Sequence, residues 1–130
     1  MLLQYSHRLG YALWKIGKKD EAQPYFRNQI EYSTKIIELG RYLSSNYFAH
    51  YDLAGTYAFL GDKINAYFYL KELTKLEFVS LWMANMIMND PLFVHLKGEE
   101  EFQKIANILK SKNQTGHDRV GKWLEENDML

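Results

Sequence analysis

Cysteine is absent from the 130 residues, which excludes disulfides, thiolate chemistry and Cys-ligated metals. Proline occurs only twice, at Pro24 and Pro91, so few positions forbid a helix. Neither sign of charge is in excess, because sixteen basic and sixteen acidic residues cancel. A neutral chain has no global electrostatic reason to bind nucleic acid or an anionic membrane, and neither partner is expected. No run approaches the ~18 apolar residues that a membrane-spanning helix needs. Met1-Leu2-Leu3 gives way at once to Gln4-Tyr5-Ser6-His7-Arg8, too little for the apolar part of a signal peptide. The expectation is a soluble, cytoplasmic chain. Phosphate-cradling Gly-rich loops, Gly-x-Ser-x-Gly and His-Glu-x-x-His are also missing.

Apolar residues make up 47% and charged residues 25% of the chain, which is enough to bury the core of one domain. Aromatics are plentiful at 15%, with ten tyrosines. Strict apolar/polar alternation is scarce, whereas spacing of i, i+3, i+4 recurs, so the chain reads as all-α. A first helix over about 3–16 would turn Tyr5, Leu9, Ala12, Leu13 and Ile16 inward and stop at Gly17. Asp20 is the expected N-cap of a second helix that accommodates Pro24 near its start and ends at Gly40. A third helix is expected over about 45–60, capped by Ser44 or Ser45. Asp62 would cap a fourth that reaches about residue 76. A fifth over about 79–88 is broken by Asn89-Asp90-Pro91, and a sixth spans about 99–110. Residues 111–116 read as a polar linker, and 119–127 as a short last helix.

One phrase occurs twice. Leu9-Gly10-Tyr11-Ala12-Leu13-Trp14-Lys15-Ile16-Gly17 leads to Ala22 and Tyr25-Phe26, and Leu53-Ala54-Gly55-Thr56-Tyr57-Ala58-Phe59-Leu60-Gly61 leads to Ala66 and Tyr69-Leu70. Equivalent residues lie 44 apart, the mark of stacked helical hairpins. The phrase resembles the tetratricopeptide repeat in its Leu-small pairs (Leu9-Gly10, Leu53-Ala54), its next large position (Leu13, Tyr57) and its Ala-large pairs (Ala22-Phe26, Ala66-Leu70). It departs in three ways. Ser6 and His50 stand where that family prefers a bulky residue, no proline ends a repeat, and the period exceeds the usual ~34 residues. The expected architecture is therefore a short superhelix of antiparallel hairpins over 1–112, with repeats at about 3–40 and 44–76, a degenerate capping unit at about 78–112, and a linker and helix over 113–130.

The resemblance implies a non-catalytic module that docks a protein or peptide in a concave groove. The groove positions carried over are Gln4, His7, Tyr11, Trp14 and Lys15 from repeat one, and Phe48, Tyr51, Gly55, Ala58 and Phe59 from repeat two. Asp90-Pro91-Leu92-Phe93, with Leu96-Lys97-Gly98 and Phe102, is similar to a terminal segment of some bacterial repeat proteins. That supports an alternative: a C-terminal sensor or regulatory domain of a larger bacterial signalling or transcription-regulating protein, self-associating as a homodimer. His7, His50, His95 and His117 are the only candidates for acid–base or metal chemistry, and no two have His-x-x-x-His spacing. His7 and His50 occupy nearly equivalent places, yet no nucleophile or completed ligand set accompanies them, so no enzyme, metal or cofactor is expected.

Overall fold

The computed structural model describes residues 5–40 and 43–129, with side chains in the third helix described from 47 onward. Among the described residues six α-helices follow one another: α1 (Ser6–Lys15), α2 (Lys19–Leu39), α3 (Leu43–Phe59), α4 (Lys63–Thr74), α5 (Leu81–Met86) and α6 (Glu100–Glu126), with a 3-10 turn at Pro91–Phe93. No strand occurs among the described residues. The chain divides into two compact units, Met1–Leu73 and Thr74–Leu130.

In the first unit the repeated phrase becomes a repeated turn. Gly17 and Gly61 both adopt φ of +87°, where only glycine is unstrained. Each ends its helix with the same pair of bonds. Gly17 N–H reaches Trp14 O and Lys18 N–H reaches Leu13 O, while Gly61 N–H reaches Ala58 O and Asp62 N–H reaches Tyr57 O, all within 2.9–3.1 Å. Gly40 closes α2 in the left-handed conformation at φ of 56°. Asp62 caps the start of α4 by accepting Asn65 N–H at 3.1 Å. Asp20 does not cap α2: the helix begins at Lys19, which puts Asp20 inside the first turn, where its charge still favours the helix N-terminus. Pro24 also lies inside α2, which runs on through it to Leu39. Ser44 and Ser45 fall inside α3 rather than before it.

The inward face of α1 differs from expectation. Tyr5, Leu9 and Ile16 are 62%, 50% and 69% exposed, whereas Ser6, His7 and Gly10 are buried. Gly10 sets this rotation. A Cβ there would lie only 3.0–3.2 Å from the ring of Phe26, so the missing side chain lets α1 rest directly on α2. Phe26, Tyr51, Leu53, Leu70 and Leu73, with Ala22, Ala54, Ala58 and Ala66, fill the core of this unit.

In the second unit Ser80 caps α5 through Met83 N–H at 3.2 Å, and Asp90 caps the 3-10 turn through Leu92 N–H at 3.1 Å. Phe93 meets Phe102 of α6 with ring centroids 5.4 Å apart. The expected linker at 111–116 and separate last helix are instead part of one 27-residue helix. Its polar stretch is used for packing: Lys112 Nζ donates to Leu76 O at 2.7 Å, and Asn113 Nδ2 to Val79 O at 2.9 Å. Gly116 is buried because the ring of Phe78 lies 2.9–3.2 Å from where its Cβ would be.

The two close-approach glycines should respond differently to alanine. Phe26 is fully buried and cannot retreat, so Gly10→Ala should cost about 1 kcal/mol despite the better helix former. Phe78 is 55% exposed and can swing away, so Gly116→Ala should hold or raise the melting temperature. Thermal unfolding of both variants by circular dichroism checks the contrast.

Candidate functional site

Two features of the first unit bear on function: a buried polar cluster and a half-buried group of rings. The cluster centres on Gln29 in α2. Its Nε2 donates to Ser33 Oγ at 2.8 Å, which turns Oε1 toward α1. Oε1 accepts the His7 main-chain N–H at 3.4 Å and the Ser6 hydroxyl at 3.5 Å, and lies 2.8 Å from His7 Nδ1. A main-chain N–H can only donate, so it fixes Oε1 as the facing atom, and Nδ1 must carry a proton. His7 Nε2 then faces Asp52 of α3, 3.3 Å from Oδ1. In the neutral ring Nε2 carries no hydrogen to give to the carboxylate, and it has no hydrogen-bond partner. The contact is an ion pair when the ring holds its second proton. His7 is completely buried and the Asp52 side chain only 12% exposed. The hydrogen bonds tie α1 to α2 and set the enclosed His7 ring beside α3.

The rings lie further along α1. Tyr11 and Trp14 each meet Phe59 edge-on at 5.5 Å, and Phe59 contacts the buried Phe26 at 5.4 Å. Tyr11, Trp14 and Phe59 are each half-buried. Lys19 Nζ sits 4.9 Å over the Trp14 ring, a cation–π contact at the rim, and Lys15 is exposed.

The expected groove residues therefore part into two sets. Tyr11, Trp14 and Phe59 come together at the surface, and Lys15 lies beside Trp14 in sequence. Phe48 is 43% exposed and touches Tyr47 edge-on at 5.5 Å. His7, Tyr51 and Gly55 are not groove residues: all three are buried, as is Ala58. Gln4 lies outside the described residues. His7 and His50 have separate surroundings, since the His50 ring contacts Tyr69 at 5.8 Å. Among the described residues, no group of three or more potential ligands stands together to hold a metal ion. Sequence reasoning missed Gln29 and Asp52. The signal for Gln29 was available, because Ala22, Phe26, Gln29 and Ser33 form a single i, i+4, i+7, i+11 stripe on α2.

The model of the Tetratricopeptide repeat family matches residues 3–36 and 49–79, together half of the chain. The first match takes in α1 and most of α2, and the second takes in α4, most of α3 and the approach to α5. The chain belongs to the tetratricopeptide repeat family. Repeats of this family mediate protein–protein interaction, so this is an interaction fold. No curated protein and no solved structure matches the chain. Among the described residues no helix is long and apolar enough to cross a membrane.

Gln29→Leu keeps the volume but strands the His7 donors and should cost about 2–3 kcal/mol in urea unfolding, whereas Tyr51→Ala should cost about 3–5 kcal/mol as a core truncation. Tyr57 stacks on Tyr69 at 6.0 Å, and burial first, then Tyr69 and Asp62, push its phenol above the ordinary tyrosine range. The neutral form is favoured by the fold, so its contribution is present at lower pH and lost as pH rises through the folded value. The ultraviolet titration of the native chain minus that of Tyr57→Phe should show a one-tyrosine step displaced upward.

Proposed function

We propose that this tetratricopeptide repeat chain is a non-catalytic docking module that uses Tyr11, Trp14 and Phe59 as its contact surface. The observation that carries the reading is the joining of these three rings from α1 and α3, each half-buried and held edge-on by its neighbours. Rings fixed in this way lose little conformational freedom when a partner covers their remaining faces. Half-buried aromatics are also the residue type most often found at the energetic centre of an interface. Lys15 and Lys19 border Trp14, which suits a segment carrying an apolar anchor flanked by carboxylates. Phe48 is an outlying contact within the same reading.

Selection of binding peptides from a random library with the intact chain tests this. Recovered peptides should pair an apolar residue with acidic neighbours. Tyr11→Ala should weaken them on the order of tenfold, and Lys15→Glu should slow association, with helical content unchanged in both. Peptides that bind both variants as tightly as the native chain would place the contact surface elsewhere.

A further inference from the structure

Helix α6 carries a repeat of its own. Phe102, Leu109, Gly116 and Trp123 are seven residues apart, and Ala106, Val120 and Asn113 hold the positions between them. Strict seven-residue spacing marks a seam along which two helices run side by side. The first part of the seam is filled from within its own unit. Phe102, Ala106 and Leu109 are buried, Asn113 bonds the main chain of Val79, and Phe78 covers Gly116. Beyond Gly116 the same line emerges into solvent: Val120 is 49% exposed and Trp123 is 54% exposed.

We propose that a second copy of this chain covers this outer stretch, with the two α6 helices antiparallel. Two features select that occupant and direction. Arg119 and Glu126 each immediately precede a seam position, Val120 and Asn127. In an antiparallel pair these flanking positions face each other, so Arg119 meets Glu126 of the second copy, twice by symmetry. A parallel pair would set Arg119 against Leu124 instead. The same antiparallel register puts Trp123 against the smaller Val120 of the other copy, where a parallel one would crowd Trp123 against itself. Within one copy these charges are weakly engaged: Arg119 lies 3.8 Å from Glu77, and Lys122 lies 3.9 Å from Glu126, all exposed. The seam spans about three turns, so the dimer is weak and concentration-dependent rather than obligate. This proposal does not rest on the peptide-docking reading, which uses other residues.

Sedimentation equilibrium of the full chain over a wide concentration range tests it. The native chain should move from monomer toward dimer, and Trp123→Glu should remain monomeric with unchanged helicity. Arg119→Glu should weaken the dimer on the order of tenfold, and adding Glu126→Arg to it should restore the native association. A chain that stays monomeric at every concentration would overturn the proposal. So would a dimer that survives Trp123→Glu, or a charge swap that fails to restore it.

Discussion

The repeat unit depends on how closely α1 rests on α2. Gly10 gives up its side chain to the ring of Phe26, and this brings the helix backbones near enough for a side chain of one to reach the main chain of the other. Gln29 does so. The His7 N–H belongs to the first turn of α1, where main-chain donors have no partner within the helix. Tyr5, at the N-cap position, supplies no side-chain cap. The amide of Gln29 therefore caps α1 from a neighbouring helix, and the same oxygen accepts from His7 Nδ1 and so orients the ring with Nε2 toward Asp52 on α3. One close approach thus fixes the start of α1 and its rotation about its axis, and it sets the His7 ring beside Asp52 of the second repeat.

The two repeats use one backbone plan with different interiors. At the spacing of 44 residues, Gln29 corresponds to Leu73 and His7 to Tyr51. All four are buried. Burial of Tyr51 and Leu73 rewards any arrangement that excludes water. The hydrogen bonds of Gln29 reward only one, because each loses most of its value when misaligned and each donor left buried without a partner is costly. The first hairpin is accordingly specified by hydrogen-bond direction at two positions where the second carries the larger or apolar side chains of Tyr51 and Leu73.

That difference explains what could be read from the sequence. The turns at Gly17 and Gly61, the all-α class and the hairpin array were legible because glycine at a helix end and apolar spacing are local signals. The inward face of α1 was not. A count of apolar positions turns Leu9 and Ile16 inward and Ser6 and His7 outward, since it cannot register that Ser6, His7, Gln29 and Ser33 satisfy one another. The same blindness divided α6 at Ser111. Lys112 and Asn113 look like linker residues until their carbonyl partners, Leu76 and Val79, are known, and Gly116 looks like a breaker until Phe78 is seen against it. Of the groove positions carried over from the family, His7 near the start of α1 is buried with Tyr51, Gly55 and Ala58 of α3, while Tyr11, Trp14 and Lys15 further along α1 reach the surface with Phe48 and Phe59.

This gradient along α1 has a physical cause. His7, Tyr11 and Trp14 follow one another at i, i+4 and i+7, so they share one stripe of the helix. At its beginning the stripe is consumed by the polar cluster, which needs His7 fully enclosed to hold its geometry. At its end the stripe meets Phe59, whose other face rests on Phe26, the ring that also packs on Gly10. The rings at the surface are thus braced by the contact that sets the spacing of α1 and α2. A change that loosens that spacing should blunt any surface built on Tyr11 and Trp14 before it melts the helices, because the edge-on contacts at 5.5 Å depend on ring position more steeply than the helical backbone does.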